Sequence, residues 1–448
     1  MEYRYREQKE LIKGELGNIP KSWNQAKAQY YFDVFAGGTP STNEPKYWDG
    51  DIPWINSGEV QNCYITNVSR YITNQGLKES STKLIPKNTT VLAMTGATCG
   101  NVGYLQFDST ANQSVMAFVP KYSYNSKFLY YYLMCQSQQI EYYKTGGAQG
   151  GINVDNGKKL YINIPLDEEQ EKIANFLDKK TSKFNSIISK KEALIEKLEE
   201  AKKSLISEVV TGKVKVVKTD DGYELVKRNS DEMKDSGVEW LGEIPKDWNC
   251  TKLKNICNNI TDGAHISPET KNGVYPFISV KDLNENGLDF NNCLLTSIEN
   301  YMYLKNNSCN PSVNDILISK DGTIGKTTTI NYDKEFVVAS SLVILTPSSD
   351  YKSEYVEYIL NSNFVQKQIR KYVKGTALPR ISIMHLKDII LPYTLDKNEQ
   401  ELMITYLKEK NVLIKALIQK TKQQIEKLKE AKQSLISEAV TGKIEILD

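Results

Sequence analysis

Residues 195–213 read IEKLEEAKKSLISEVVTGK, and residues 425–443 read IEKLKEAKQSLISEAVTGK. Of these 19 aligned positions 16 are identical, and the changes (Glu199 to Lys429, Lys203 to Gln433, Val209 to Ala439) are mild. A second echo lies upstream. Leu16-Gly17-Asn18-Ile19-Pro20-Lys21-Ser22-Trp23 returns 225 residues later as Leu241-Gly242-Glu243-Ile244-Pro245-Lys246-Asp247-Trp248. The helical echo is displaced by 230 residues, and both displacements are close to half of the 448-residue chain. Two tandem copies of one unit follow, each too long for a solenoid repeat.

Residues 166–209 carry almost no Gly or Pro and many Glu, Lys, Leu and Ala, which predicts one long helix, about 65 Å at 1.5 Å per residue. Ile173, Leu177, Lys180, Phe184, Ile187, Lys191, Leu194, Leu198, Ala201 and Leu205 recur at alternating steps of four and three, a coiled-coil seam. The second copy repeats it at Met403, Leu407, Lys410, Ile414, Leu417, Thr421, Gln424, Leu428, Ala431 and Leu435. Each helix follows an apolar-Pro element (Ile164-Pro165, Leu391-Pro392) and ends at Thr-Gly (Gly212, Gly442), a C-cap signal. Unpaired, such seams would stay exposed, so the two helices are expected to pair with each other, antiparallel. Ile188, Ile195 and Ile206, with Ile418, Ile425 and Ile436, then remain as candidates for docking a partner.

Between the echoes the copies differ almost completely, yet a faint skeleton persists. Gly38-Thr39-Pro40 faces Gly263-Ala264-His265, Ile52 to Ile55 faces Tyr275 to Ile278, and Val91 to Gly100 faces Ile316 to Gly325. Short apolar runs broken by Gly, Asn and Pro predict strand-rich mixed domains, with a helix near Phe128 to Tyr143 and another near Glu354 to Tyr372. The connection from Lys213 to Trp248 is polar and expected to be partly extended.

Composition excludes several classes. Lys and Arg number 11 against 9 Asp and Glu over residues 24–163, and 15 against 14 over residues 249–390, without the basic excess of a non-specific nucleic-acid binder. The seven Cys form no CxxC pair and only His265 and His385 are present, which argues against structural zinc and for buried thiols in a reducing cytoplasm. No apolar run of about 18 residues and no signal sequence at Met1 occur, so a cytoplasmic chain without membrane association is expected.

Two divergent domains, each followed by a nearly invariant long helix, resemble the specificity subunit of type I DNA restriction-modification systems. The resemblance is carried by Leu241 to Trp248, by Ile164-Pro165-Leu166-Asp167-Glu168-Glu169-Gln170 running into Leu177, and by Ala201 to Lys213 with its echo Ala431 to Lys443. It implies an α+β fold: two mixed α/β target-recognition domains in pseudo-two-fold tandem, separated by two long antiparallel coiled-coil helices. The expected segments are an N-terminal stretch (1–23), the first recognition domain (24–163), the first long helix (164–213), a connector (214–248), the second recognition domain (249–391), and the second long helix with the C-terminus (392–448). It further implies that each domain reads half of a split site in double-stranded DNA. Two methyltransferase subunits carrying S-adenosylmethionine would dock on the helices, two motor-nuclease subunits would join in the full system, and this chain would bind no cofactor itself. Two departures stand out: Leu391-Pro392 lies three residues further from Glu399-Gln400 than Ile164-Pro165 does from Glu169-Gln170, and Met1 to Glu15 is atypical.

No catalytic constellation is legible. Gly322-Thr323-Ile324-Gly325-Lys326-Thr327 ends like a phosphate loop, but the Gly required five residues before Gly325 is Lys320. The shared Gly turn is either a DNA-facing loop or a hairpin connection. No Asn-Pro-Pro-Tyr or Asp-Pro-Pro-Tyr segment occurs, which counts against a self-sufficient methyltransferase or nuclease; a pseudo-dimeric coiled-coil scaffold would leave the divergent domains without purpose. Side chains suited to base edges are Asn56, Asn112, Gln113 and Gln149 in the first copy, beside Ser57 and Thr98. The second copy offers Ser279, Lys281, Lys320, Ser340, Thr376 and Arg380. Lys367, Arg370, Lys371 and Lys374 cluster beside Tyr372 as a phosphate-binding strip, with a solvated helix face as the alternative.

Overall fold

The computed structural model describes residues 2–146, 150–265, 273–284, 287–375 and 379–447. The chain divides into two compact units: residues 1–192 with 423–448, and residues 193–422. Two 44-residue helices, Asp167–Val210 and Lys397–Val440, match the two Gly- and Pro-poor stretches.

In the first unit an antiparallel sheet runs in the order Phe32–Ala36, Val115–Pro120, Thr90–Ala93, Val102–Leu105, and Cys63–Ile65 is added in parallel at its edge. A second sheet joins Thr110–Ala111, Trp48–Ile55 and Arg70–Ile72. In the second unit Cys257–Asp262, Leu342–Pro347, Ile316–Ser319 and Thr327–Thr329 form the corresponding sheet, and Leu294–Thr296, Tyr275–Ile278 and Val337–Val338 the smaller one. Each domain closes on one antiparallel pair, Asn24–Lys27 with Tyr161–Ile164 and Asn249–Lys252 with Ile390–Tyr393. The single helix expected in each copy is two helices: Ser126–Met134 and Ser137–Tyr143, then Ser353–Leu360 and Asn363–Tyr372. In the second copy the break is a cap, since Ser362 Oγ accepts a hydrogen bond from Val365 N.

The sequence echoes are the parts that clamp helix to domain. In the first unit Glu169 accepts from Trp23 Nε1 (2.8 Å) and Arg6 Nη2 (2.5 Å); in the second, Glu399 accepts from Trp248 Nε1 (2.9 Å) and from Arg228. Gln170 Oε1 accepts from Asn125 N, and Gln400 Oε1 from Lys352 N. Gly212 and Gly442 end their helices at φ +72° and +73°, where a Cβ would lie 2.4 Å from Pro245 and from Pro20 respectively. The Thr-Gly echo thus needs glycine both for the left-handed turn and for contact with the Ile-Pro-Lys-x-Trp echo. The cores follow. Ile436, Ala439 and Val440 pack with Trp23, Phe128 and Leu177, and Ile206, Val209 and Val210 with Trp248, Tyr355 and Leu407.

Hydrogen-bond equivalences explain the departures noted above. Gln170 Nε2 donates to Pro165 O and Gln400 Nε2 to Thr394 O, so Thr394, not Pro392, is the counterpart of Pro165 and the apparent three-residue excess shrinks to one. The described part of the N-terminal stretch, from residue 2 to Glu15, has a structural counterpart as well. Leu11–Gly14 pairs with Gly17–Pro20 as Met233–Asp235 does with Glu243–Pro245, and Tyr3–Tyr5 with Ile444–Ile446 as the connector hairpin Val214–Thr219 does with Gly222–Lys227.

The helical seam is rotated from the expected one. Within the first unit Lys191 Nζ meets Gln424 Oε1 (2.7 Å) and Lys432 Nζ meets Asn185 Oδ1 (2.8 Å), an antiparallel register. Thr181, Thr421 and Ile425 are buried and Ile188, Ile195 and Ile418 half-buried, whereas Ile187, Leu194 and Leu417 are 44, 41 and 45% exposed. The burial pattern steps from Ile173 to Leu177 to Thr181, two successive fours. Such a stutter turns every later position by one place, because 3.6 residues per turn exceeds the 3.5 of a strict heptad. Ile206 and Ile436 lie inside the unit cores. The six isoleucines set aside for a partner are therefore buried or half-buried by this chain itself, and three residues expected in the seam face outward.

Candidate nucleic-acid interface

One edge of each domain is assembled from the same five loops. Gly37 N donates to Val115 O (3.0 Å) and Gly263 N to Leu342 O (3.1 Å). Asn112 N donates to Ile55 O (2.8 Å) and Ala339 N to Ile278 O (2.8 Å). Met94 N reaches Ser114 O (2.8 Å) and Lys320 N reaches Ser341 O (2.9 Å); Ile152 N reaches Met94 O (2.9 Å) and Ile381 N reaches Lys320 O (2.9 Å). Thr145 bridges Gly151 as Lys374 bridges Arg380. These bonds pair Gly37, not Gly38, with Gly263. They also put Ala93 in the place of Ser319, because the loop to Gly325 is one residue shorter than the loop to Gly100.

On this shared frame the side chains differ. In the second domain Lys320, 8% exposed, sends Nζ to Asp262 Oδ2 (2.5 Å), and His265 Nε2 lies 2.7 Å from the same oxygen. Burial alone would raise the Asp262 carboxyl, but the hydrogen bond and charge of Lys320 outweigh it and hold the group below its ordinary value. Arg380 places Nε 2.7 Å from Asp321 Oδ1 and Nη2 3.3 Å from Oδ2. In the first domain the positions of Lys320, His265 and Arg380 are held by Met94, Thr39 and Gly151, and Thr39 Oγ1 donates to Gln113 Oε1. The frame therefore carries two cation–carboxylate pairs on one domain, with Arg380 the exposed member, and neutral amides and hydroxyls on the other.

The remaining candidates fall on or beside the same edges. Asn56 and Ser279 occupy equivalent capping positions, with Asn56 Oδ1 accepting from Gly58 N (2.8 Å) and Ser279 Oγ from Lys281 N (3.3 Å). Ser57 is half-buried behind the first cap, and the Lys281 side chain is exposed beyond the second. Asn112 Oδ1 accepts from Ser114 N (3.0 Å), Thr98 is half-buried in the Gly96–Thr98 turn, and Ser340 N donates to Ala264 O (2.9 Å). Gln149 and Thr376 lie outside the described residues. Gly322 to Lys326 connects two hairpin strands, Ile316–Ser319 and Thr327–Thr329, and touches the Arg380 loop through Gly322 N to Pro379 O (3.1 Å), so it is both a hairpin connection and part of the edge.

The helix Asn363–Tyr372 leads directly into this edge. It buries Phe364, Val365, Gln368 and Ile369 and exposes Lys367, Arg370 and Lys371, followed by exposed Lys374. Lys371 Nζ lies over the Trp240 ring at 5.4 Å. Gln139 and Gln368 make the same pair of backbone bonds, to Tyr161 and Ile390, which places Gln138, Glu141 and Tyr142 where the second copy has Lys367, Arg370 and Lys371. Sequence reasoning missed Asp262 and Asp321. Asp262 lies 58 residues from Lys320 and Asp321 lies 59 from Arg380, so no local spacing advertises either pair.

Two copies of one loop frame, with unlike side chains at the equivalent edge of each domain, define a duplicated scaffold. The family model described as type I restriction modification DNA specificity domain matches residues 20–197 and again 245–427, so the chain belongs to this family, whose part is DNA recognition rather than catalysis. The MjaIX specificity subunit of Methanocaldococcus jannaschii is 29% identical over 99% of this chain and 98% of its own length. The EcoR124I/EcoR124II specificity subunit of Escherichia coli is 31% identical over 32% of this chain and 37% of its own. Among solved structures, a chain from a type I restriction-modification complex superposes with a TM-score of 0.70 at 14% identity, covering 95% of this chain and 99% of that one. The HsdS subunit of Thermoanaerobacter tengcongensis gives 0.50 at 15% identity, covering 96% and 100%. No described helix is long and apolar enough to cross a membrane.

Proposed function

We propose that this chain reads a bipartite, asymmetric site in double-stranded DNA, one half with each domain, for a type I restriction-modification complex. The observation that carries the proposal is one loop frame bearing unlike side chains, Met94 and Gly151 in the first copy against Lys320 and Arg380 in the second. A duplicated enzyme would keep its chemistry, whereas a reader of two different half-sites keeps its frame and varies its edges. Asn56, Asn112 and Gln113 suit adenine readout in the first half-site, and the exposed Arg380 suits guanine in the second, where Lys320 is buried against Asp262. Lys367, Arg370, Lys371 and Lys374 hold the phosphate backbone beside the second domain. S-adenosylmethionine is carried by methyltransferase subunits, and motor-nuclease subunits complete the system. The methyltransferases dock on exposed apolar side chains of the long helices, Leu194 and Leu417 in the second unit, rather than on the isoleucines of the seam.

Domain exchange tests this reading. Residues 24–164 start and end on one antiparallel pair, Asn24 opposite Ile164, so a related domain can be grafted there without leaving an unpaired strand. Methylated motifs mapped in a host carrying the chimera should change in one half-site only. A change in both halves, or in neither, refutes the two-reader assignment.

A further inference from the structure

We propose that Asp321 is a positioning residue that presents Arg380 to a guanine in the half-site read by the second domain; this rests on the DNA-recognition reading above. The Arg380 side chain is 69% exposed while that of Asp321 is only 11% exposed. The carboxylate takes the side edge of the guanidinium, through Nε at 2.7 Å and Nη2 at 3.3 Å. Left over is the end edge, with Nη1 and the outer N–H of Nη2. It carries two parallel donors, the pattern that meets O6 and N7 of guanine in the major groove.

The backbone fixes the acceptor first. Asp321 and Arg380 face each other in an antiparallel bridge, Gly322 N donates to Pro379 O (3.1 Å), and Lys374 and Arg380 exchange two hydrogen bonds (3.0 and 2.9 Å). An ion pair with so exposed an arginine adds little to stability, so stability does not account for a buried carboxylate dedicated to it. Ordering a rotamer-rich side chain before DNA arrives does account for it, because that entropy is no longer lost on binding. The device is private to one half-site. In the first domain Gly151 takes the place of Arg380, and a Cβ there would lie 2.5 Å from the Met94 carbonyl oxygen.

The test uses the chain assembled with the methyltransferase of its own system. Binding is measured on the matched duplex, on duplexes substituted at single base pairs, and on unrelated DNA. Arg380→Lys keeps the charge and removes the fork, and should reduce discrimination at one G·C pair of the second half-site by about 5- to 150-fold. Asp321→Ala should weaken discrimination at that same pair by a smaller factor, and the double variant should be no worse than Arg380→Lys alone. Discrimination in the first half-site should be unchanged, which also reports that each variant is folded, and binding to unrelated DNA should be unchanged for Arg380→Lys and no weaker for the Asp321 variants, which remove a negative charge; Asp321→Asn, close in shape, serves where Asp321→Ala does not fold. Losses equal on all duplexes, losses at different base pairs, or additive losses overturn the proposal. If the unmodified complex shows no sequence preference, the DNA-recognition reading itself is wrong.

Discussion

At the mouth of each long helix one glutamate holds two partners, and the chain repeats the arrangement residue for residue. Glu399 binds the indole of Trp248 and the guanidinium of Arg228, whose side chain is 8% exposed. Glu399→Ala would leave that cation buried without its carboxylate, an effect of about 3–5 kcal/mol. Denaturant unfolding of the full chain should show the second unit melting early while the first, clamped by Glu169, keeps its midpoint. Glu357 is a different case. Burial raises its pKa above the ordinary range, and hydrogen bonds from Thr329 and Thr327 oppose the shift without cancelling it. A raised folded-state pKa means that its contribution is complete below the unfolded-state pKa and is lost as pH rises through the folded value. Glu357→Gln stays neutral throughout and should flatten the fall in stability as pH rises above the ordinary glutamate range; denaturation midpoints that still fall equally steeply in the variant would refute the assignment.

At the scale of elements, the long helices show how far a periodic pattern can be trusted. Both helices and their glycine ends were readable, because composition and caps are local. Which stripe lies inside depended on a single extra four-residue step near Thr181, and a stripe wide enough to include both Ile187 and Ile188 does not announce that step. Leu194 and Ile195 separate the outer face from the seam. Leu194→Asp should leave folding within about 0.5 kcal/mol of the parent, as an outward substitution does, yet abolish assembly with the methyltransferase. Ile195→Asp should instead lower stability by about 1–3 kcal/mol through burial of an unpaired carboxylate. Thermal melts together with co-purification distinguish the two; assembly by Leu194→Asp at the parental level would remove the docking face proposed above.

Across the two copies, one ion pair between domain and helix appears with its charges exchanged. Lys127 on the helix Ser126–Met134 bonds Asp178 of the first long helix at 2.7 Å, and at the equivalent places Glu354 bonds Lys408 of the second at 2.6 Å. At this position each domain therefore fits its own helix and would meet like charge if moved onto the other. Placing the second domain's sequence on the first helix would set Glu354 against Asp178, which also accepts hydrogen bonds from Tyr64 and Tyr131. Such an internal exchange should fold less stably than the parent by about 1 kcal/mol or more, and Glu354→Lys in the exchanged copy should restore the difference. Equal stability with and without that substitution would mean that the reversal carries no pairing information.

The duplication, the two long helices, the repeated segments that hold Trp23, Trp248, Glu169 and Glu399, and the family resemblance were legible along the chain, because each rests on identity or periodicity; that these residues bond to one another was not. The sequence also pointed to Lys320, Arg380 and the Lys367 to Lys374 strip. Tertiary structure decided the rest. The alignment of the edge loops shifts by one residue between strand and turn, the seam rotates at its stutter, and the acids that hold Lys320 and Arg380 come from 58 and 59 residues away. Side chains brought together across a sheet edge leave no spacing in the sequence, since hydrogen bonds between strands and loops, not chain neighbours, set their distance.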